Sequence, residues 1–441
     1  MTRESDGWAY KELEGVDLGD VRRNKRAKAV LTRLAQKPTA SIPGACRGWS
    51  ETHGAYRFMQ NEAVEWRDIM EPHWNCTQER MREHDVVLCI EDTTGLDFNG
   101  QEISGLGPLS YEAQRGMYLH PTYAVTTDRV ALGVIDAWMW AREFKDADGR
   151  RGGITESTRW VEGYERIAEI AAQLPGTRLV YVADREADIA ALMLRADELG
   201  TPADWLIRSS HNRSLDGGDK LWSKVLKTRG VGEVQFMMAA RVGQKARTVR
   251  QVLRMKRVTL PCGVTVTCVI AKEVDPPAGV KPVEWRLLTN RAPVGHDDLV
   301  ELIDWYRARW EIEIYFNVLK NGCCVEELQL GSVDRIERAL ALFMIVAWRI
   351  AYLMRMGRTC PDLDATLFFD PDEIHGAHLL LKIRRPSKPL GLNEMIRLVA
   401  RCGGFLARKG DGEPGAKTIW QGLERVMTAA ETLRGLRHEL A

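Results

Sequence analysis

Two short, uninterrupted apolar runs constrain the fold of this chain more than any other feature. The sequence VVLCI occupies positions 86–90, and LVYVA occupies positions 179–183. Runs of this length without polar alternation are typical of strands buried on both faces of a sheet. Positions 154–174 show helical periodicity, and strand-like patterns recur at 118–142 and 204–208. Alternating strands and helices predict an α/β domain built on a mixed sheet.

The length of the chain, 441 residues, predicts about three folding units. We predict a helical domain at positions 1–66, the α/β core at 67–360 and a helical region at 361–441. Within the core, positions from about 217 to 283 alternate apolar and polar residues between Gly and Pro breaks. This pattern predicts a β-rich insertion.

Several classes of protein are disfavoured by composition. Nine cysteines are scattered without a CxxC pair, which argues against a zinc site. The N-terminal segment lacks the apolar stretch of a secretory signal, and no apolar run approaches the roughly 18 residues of a membrane span. We therefore expect a cytoplasmic protein, associated with the nucleoid if it binds DNA, without a membrane partner.

Carboxylates follow both apolar runs at the point where each predicted strand ends. Asp92 comes two residues after the first run, and Asp184 comes directly after the second. Open α/β sheets place their sites at the carboxyl ends of strands. With Glu313 from a predicted helix, these residues would supply three oxygen ligands, a set that suits Mg²⁺ or Mn²⁺. Two such ions per site are the usual arrangement for phosphoryl transfer.

A polar stripe surrounds Glu313. Tyr306, Arg309, Glu313 and Lys320 fall at offsets of zero, three, seven and fourteen, within about 60° of one another on a single α-helix. A carboxylate flanked by cations is what a nuclease site requires. An ordinary structural explanation exists for each acid: Asp92 could open a turn, Asp184 could cap a helix, and Glu313 could pair with Arg309. Weaker candidates are Glu91, Glu186 and Asp188, of which Asp188 would support Asp184 or cap structure.

Two basic segments stand out although the net charge is only +1. Positions 20–37 carry seven basic residues and one acid, and positions 241–257 carry seven basic residues and no acid. Such segments suit phosphate backbones, although a solvated helix face or ribbon explains each one equally well. The candidate DNA contacts are Arg22, Arg23, Arg26, Arg247, Arg250 and Arg254.

Three motifs carry a family resemblance. The run from Ile90 to Thr94, the DREAD sequence at 184–188 and the Tyr306-x-x-Arg309-x-x-x-Glu313-x-x-x-x-x-x-Lys320 pattern resemble the cut-and-paste transposases of the IS-four family. The last pattern is specific because four identities occur at fixed spacing. GAYRFMQNE is similar to the family's DNA-end-binding domain, RTVRQVLRMKRVTL to its β-insertion, and the segment from GGFLARKG to LERV to its dimerisation region.

The resemblance implies a ribonuclease-H-like core in which Asp92, Asp184 and Glu313 are the catalytic acids. It also implies a homodimer that brings two transposon ends together. Tyr306, Arg309 and Lys320 would hold phosphates. Trp285 would capture a flipped base, with Trp310 and Tyr118 nearby, and Arg208 would contact DNA. Without the family, Trp285 would be read as a core tryptophan and Arg208 as a surface cation.

The sequence therefore predicts a DNA transposase that binds terminal inverted repeats. It would cleave the ends through a hairpin intermediate and join the 3′-ends to target DNA. One alternative is a structure-specific nuclease with the same core that cuts without joining. Another is a non-catalytic DNA-end-binding inhibitor of transposition. A glycosidase with paired carboxylates does not explain the cations beside Glu313.

Overall fold

A computed structural model describes residues 7–238 and 246–439 of the chain. Two basic residues of the second basic segment, Arg241 and Lys245, lie outside the described residues. The described chain divides into two compact units. The first comprises residues 7–81, 93–153 and 311–439, and the second comprises residues 82–92 and 154–310.

The second unit is built on a mixed sheet with helices. Its elements are β1 (Val86–Glu91), α6 (Glu156–Gln173), β6 (Arg178–Ala183), α7 (Ala190–Glu198), β7 (Asp204–Arg208), α8 (Leu221–Leu226), β8 (Gly232–Met238), β9 (Arg247–Thr259), β10 (Thr265–Glu273), β11 (Glu284–Thr289) and α9 (His296–Ala308). The strand order is β1-β6-β7-β11-β10-β9-β8. The first three strands are parallel, and every later neighbour is antiparallel. Strands β8 to β10 are the predicted insertion.

The parallel strands form because their residues are apolar on both faces. Five of the six residues of β1 and of β6 are buried. Helix α6 packs on β1 and β6, and its apolar residues recur at helical spacing, with Trp160, Tyr164 and Ile167 buried. Burial on both faces accounts for the uninterrupted apolar runs in the sequence.

The first unit is mainly helical and contains four strands. Its helices are α1 (Trp8–Glu12), α2 (Val21–Gln36), α3 (Ile42–Ala45), α4 (Trp49–Met59), α5 (Trp66–Arg82), α10 (Trp310–Asn317), α11 (Val333–Thr359), α12 (Pro371–Leu380), α13 (Leu392–Cys402) and α14 (Ala416–Glu439). Its strands are β2 (Thr94–Asp97), β3 (Gly107–Pro108), β4 (Arg115–Thr126) and β5 (Ala131–Trp140). β4 pairs antiparallel with β2, β3 and β5.

Helix starts in this unit follow the usual capping chemistry. The Asp20 side chain accepts a hydrogen bond from the backbone N–H of Arg22 at the start of α2. Asp370 and Glu373 form a reciprocal capping box at the start of α12. These short polar side chains satisfy backbone N–H groups that have no partner within the helix.

Helix α11 is the central helix of the first unit. It is long and apolar enough to cross a membrane, but 78% of its most apolar window is buried inside the protein. It packs against α2, β5 and α13, and the indole N–H of Trp348 donates to the carbonyl oxygen of Ala131. This burial is typical of the core helix of a globular protein.

The predicted fold class is confirmed. The chain is a mixed α/β protein with a mixed sheet and helical N- and C-terminal regions, consistent with the ribonuclease-H-like core that the resemblance implies. The predicted domain boundaries stay predictions. The single helix predicted from Tyr306 to Lys320 is wrong in detail: a turn at Arg309 separates α9 from α10, and residues 318–322 form one π-helical turn.

Candidate active site

The register of the parallel strands brings polar residues together at one edge of the second unit. Glu91 of β1 pairs in register with Ala183 of β6, and Ala183 pairs with Ile207 of β7. The next residues along the three strands are Asp92, Asp184 and Arg208. These three residues, together with Arg309, are called the strand-end cluster below. Its position at the carboxyl ends of parallel strands is the usual place for a site in an α/β sheet.

Asp92 is paired with a cation of the same unit. Arg309, at the C-terminal end of α9, donates a hydrogen bond from Nη1 to Asp92 Oδ2 over 2.7 Å. The side chains are 12% and 21% exposed for Arg309 and Asp92, respectively. Solvent therefore reaches both groups, and a ligand has access to them.

Asp184 caps the turn that follows β6. Its Oδ1 accepts a hydrogen bond of 2.7 Å from the backbone N–H of Glu186. The turn is a 3₁₀-helix over Arg185–Ala187, and the α-helix begins only at Ala190. The capping role considered for Asp184 is therefore present, and its second carboxylate oxygen takes no part in that bond.

Glu91 is buried and is therefore not part of the strand-end cluster. Its side chain is fully buried and lies against Gly163 of α6, where any added Cβ would meet the carboxylate at 2.0 Å. A side chain at position 163 would displace either the helix or the acid. Glu91 is thus an internal group of the helix–sheet interface and a poor candidate for binding a substrate ion.

Tyr306 of α9 is 6% exposed. Burial raises the pKa of its hydroxyl, although the nearby cations Arg309 and Arg208 act in the opposite direction. A hydrogen bond with the Arg208 side chain contributes to that lowering. Tyr306 therefore stays a neutral phenol beside two cations.

An aromatic stack involves Trp285. The rings of Phe236 on β8 and Trp285 on β11 stack with centroids 5.2 Å apart and an interplanar angle of 15°. The Arg307 guanidinium lies 4.8 Å from the centroid of the Phe236 ring, and Tyr306 meets Trp285 edge-on at 6.5 Å. One face of Trp285 is therefore covered by Phe236. Trp310 is 51% exposed, and the guanidinium of Arg309 lies 5.9 Å from the centroid of its ring.

The first unit holds the remaining predicted residues. Glu313 on α10 is half-buried, whereas Glu311 is buried and paired with Arg355. Burial raises the pKa of Glu311, and Arg355 opposes that shift. Of these two acids on α10, Glu313 is the more accessible.

Lys320 lies in the π-helical turn. Its Nζ donates to the carbonyl oxygen of Gly95 over 2.6 Å and lies 3.1 Å from Glu326 Oε1. That oxygen also accepts a hydrogen bond from the backbone N–H of Asp97. The lysine therefore anchors β2 in this structure.

Tyr118 is 5% exposed. Its ring stacks on Trp140 at 5.2 Å, and the guanidinium of Arg142 lies 4.1 Å from its centroid. A base could reach Tyr118 only after this stack opened. The predicted contact between Tyr118 and a base stays a prediction.

The donor chemistry fits a hard divalent cation in part. Within residues 7–238 and 246–439, no three His, Cys, Asp or Glu side chains gather as ligands for one ion. Asp92 and Asp184 nevertheless supply carboxylates from neighbouring strand ends, and Mg²⁺ is commonly held by one or two carboxylates with water and substrate phosphate. The predicted metal site stays a prediction.

The two basic segments differ once folded. Arg22 is highly exposed and pairs with Asp20, and Arg23 donates to the carbonyl oxygen of Leu18. The guanidinium of Arg26 lies over Gly54 of α4. These three contacts all lie within residues 18–54, in the N-terminal helical region.

In the second basic segment, cross-strand acids neutralise part of the charge. Arg247 pairs with Glu273 of β10, and Arg250 pairs with Glu233 of β8 and with Asp275. Arg254 lies opposite Ile270. Their predicted DNA contacts stay predictions.

Comparison with known families gives two matches. Residues 5–64 match the transposase DNA-binding domain, and residues 345–439 match the Transposase Tn5 dimerisation domain. Together the two matches support a Tn5-like transposase. The first match covers α1 to α4, and the second covers the end of α11 and α12 to α14. Asp92, Asp184 and Glu313 lie between the matched segments.

The two matches therefore support a DNA transposase with a DNA-binding domain and a dimerisation domain. The sequence analysis did not identify Phe236 as a residue of the candidate site. The alternating pattern of its strand, β8, does not reveal that its ring stacks on Trp285 of β11. The sequence also gave Asp188 only a supporting role, and the structure places that residue in a dense polar network.

Proposed function

We propose that this Tn5-like transposase cleaves transposon ends and joins them to target DNA by metal-dependent phosphoryl transfer at Asp92, Asp184 and Glu313. The observation that carries the proposal is the register that sets Asp92, Asp184 and Arg208 at adjacent ends of parallel strands. Two carboxylates beside cations form a site for a phosphate diester and its metal ions.

In the proposed mechanism, Asp92 and Asp184 would hold the ions, with Glu313 as the third ligand that the family resemblance implies. When bound, Mg²⁺ or Mn²⁺ supplies Lewis-acid activation of the attacking and leaving oxygens. Arg309 and Arg208 then neutralise the phosphate oxygens. Because Arg309 is already bonded to Asp92, substrate phosphate competes with the carboxylate for this guanidinium. Tyr306 donates its neutral hydroxyl nearby.

The reaction consists of four substitutions at phosphorus. Water attacks one strand, forming a new P–O bond and releasing a 3′-hydroxyl. That hydroxyl attacks the phosphodiester of the opposite strand, which closes the transposon end as a hairpin and releases the 3′-hydroxyl of the flanking DNA. A second water opens the hairpin, and the 3′-hydroxyl finally attacks target DNA. Each step breaks one P–O bond for each bond formed.

Trp285 has a role in the hairpin step of this proposal. Closing a duplex end requires a base to leave the stack, and an aromatic surface recovers about 1–3 kcal/mol per stacked base. The face of Trp285 not covered by Phe236 would receive the base. A homodimer built through residues 345–439 would hold two ends at once.

The test uses labelled DNA carrying the inverted repeats that flank the gene, incubated with Mg²⁺, Mn²⁺ or EDTA and resolved on a denaturing gel. The wild-type protein should nick the end and form a hairpin with either metal, and Glu313→Ala should do neither. Glu169→Gln, which alters an exposed carboxylate of α6, is the matched control and should behave as wild type.

The alternatives give different products in the same assay. A nuclease would cut without producing strand-transfer products when target plasmid is added. An end-binding inhibitor would shift the DNA equally with metal, with EDTA and with Glu313→Ala, and would leave it uncut. That last result would overturn the proposed function.

A further inference from the structure

Asp188 is a buried carboxylate that the proposed reaction does not use directly. It is 1% exposed and follows the 3₁₀ turn that Asp184 caps. A carboxylate removed from water is stable only when its oxygens are paired with donors or cations. The identity of its partners therefore indicates what it does.

All of the hydrogen bonds and ion-pair contacts of this carboxylate go to one loop. Asp188 Oδ2 accepts hydrogen bonds from the backbone N–H groups of Ser210 and His211 over 2.6 and 2.9 Å. Its Oδ1 lies 2.6 Å from Nη1 of Arg213. Arg213 also donates from Nη2 to the carbonyl oxygen of Asp188 over 3.0 Å. The hydroxyl of Ser210 donates to the carbonyl oxygen of Arg185 over 3.2 Å.

The loop at 209–213 lies directly after Arg208 of the strand-end cluster. Ser209, the first residue of this loop, connects the loop to β11. Its backbone N–H donates to the carbonyl oxygen of Arg286 over 2.7 Å. Arg286 is the neighbour of Trp285 on β11. The Asp188 carboxylate thus ties the backbone after Asp184 to the backbone after Arg208, and through Ser209 to β11.

We propose that Asp188 is a positioning residue that fixes Asp184 and Arg208 relative to one another. It acts through the turn at 185–187 and the loop at 209–213, and its own oxygens are occupied by backbone N–H groups and Arg213. The inference rests on the proposed function, in which Asp184 is a metal-binding carboxylate. Groups that orient metal ligands typically contribute 10–100-fold to metal affinity or activity.

The experiment compares full-length wild-type protein with Asp188→Asn, Asp188→Ala and Ser210→Ala. Asp188→Asn keeps the shape and one acceptor oxygen but removes the charge that pairs with Arg213. Ser210→Ala tests the hydroxyl of the same network: it removes the bond to the carbonyl oxygen of Arg185 and the long 3.4 Å contact with Asp188 Oδ2, and it leaves both backbone bonds to Asp188. Hydrogen exchange over residues 205–213, Mn²⁺ affinity without DNA, DNA-end affinity without metal and cleavage at saturating DNA are measured.

For Asp188→Asn we expect faster exchange at Ser210 and His211, Mn²⁺ binding weakened about tenfold and cleavage slowed about tenfold or more. DNA-end affinity should stay within about twofold, since the segment that matches the DNA-binding domain, residues 5–64, lies outside the altered network. Asp188→Ala should be more severe, and Ser210→Ala should stay close to wild type. Faster exchange with unchanged Mn²⁺ affinity and cleavage would overturn the positioning role.

Asp184→Asn separates this inference from the proposed function. If Asp184→Asn binds Mn²⁺ and cleaves as wild type does, Asp184 is not a metal-binding carboxylate. The proposed function and the positioning role then both fail. If Asp184→Asn loses Mn²⁺ binding while Asp188→Asn retains it, only the positioning role fails.

Discussion

The strand-end cluster of the second unit and a buried cluster of the first unit contain the same kinds of groups in opposite situations. In the strand-end cluster, Asp92 and Arg309 form a pair that remains 21% and 12% exposed. In the buried cluster, the Glu12 and His73 side chains are 7% and 0% exposed, and Arg80, which pairs with Glu12 from the rim of the cluster, is 25% exposed. The difference separates charges that a ligand can reach from charges that only stabilise the fold.

The buried cluster is satisfied from within. His73 Nδ1 lies 2.6 Å from Glu12 Oε1, and its Nε2 accepts from the backbone N–H of Val134 over 3.1 Å. Arg80 donates to Glu12 Oε1 over 2.9 Å and to the carbonyl oxygen of Leu132. Burial would raise the pKa of Glu12, but His73 and Arg80 lower it to about 2. Low exposure with complete pairing thus marks a structural clamp that joins α1, α5 and β5.

The largest effect should come from Asp184→Asn. An Asn side chain keeps the capping bond to Glu186 but removes the negative charge, so the turn should stay folded. Cleavage of end DNA should fall by 10³-fold or more, on the order seen when one member of a catalytic set is removed. The measurement is single-turnover cleavage together with thermal unfolding. A large loss of stability would place Asp184 with the structural charges and break the comparison.

Glu12→Ala should have the opposite effect to Asp184→Asn: it should lower the stability of the fold and leave cleavage unchanged. Removing one partner of a buried ion pair costs about 3–5 kcal/mol of unfolding free energy, since His73 keeps a buried donor without an acceptor and Arg80 loses its carboxylate partner. The cleavage rate per folded molecule should not change. Urea unfolding and active-site titration check both parts, and the exposed Glu14→Ala is the control, expected within about 0.5 kcal/mol of wild type.

Lowering the pH should remove the contribution of the Glu12 carboxylate to the free energy of unfolding. Its pKa is lowered from 4.5 to about 2 in the folded protein, so the stabilisation is fully present above pH 4.5 and is lost as the pH falls toward 2. The difference in unfolding free energy between wild type and Glu12→Gln should be constant near neutral pH and shrink across that window. A difference that does not change between neutral pH and pH 3 would contradict the assignment of charge to Glu12.

The smallest effect is expected at the edge of the candidate site. Phe236→Ala removes the ring stacked on Trp285, and such aromatic pairs contribute about 0.5–1.5 kcal/mol. Hairpin formation should slow by about two- to tenfold, the change in rate that corresponds to that energy. Met237→Ala, an exposed neighbour on the same strand, should have no effect. Equal rates for both variants would mean that Phe236 does not orient Trp285 for the reaction.

Much of the fold and part of the site follow from local sequence. The apolar runs identify β1 and β6, and their parallel pairing is enough to bring Asp92 and Asp184 to neighbouring strand ends. The cross-strand partners of Arg247 and Arg250 could not be predicted, because Glu273 and Glu233 are brought to them only by the register of β9 with β10 and β8.

The π-helical turn at 318–322 could not be predicted from the sequence for a different reason. It changes the hydrogen-bond pattern of the helix by one residue, and apolar periodicity does not encode that change. The stacking of Phe236 on Trp285 joins residues far apart in the sequence, so it depends on the strand order of the insertion. Long-range pairing of this kind cannot be read from one chain segment.

The bond between Arg309 and Asp92 bears on the order in which partners can arrive. A guanidinium 2.7 Å from the carboxylate acts as an internal counter-ion, so a divalent cation arriving alone must first displace it. An incoming phosphate that draws the same guanidinium toward itself would remove this bond from the carboxylate. If Asp92 binds the metal ion as proposed, the addition of DNA before metal should be the faster route. If the protein cleaves DNA as proposed, such ordering would confine cutting to the moment when a substrate is held.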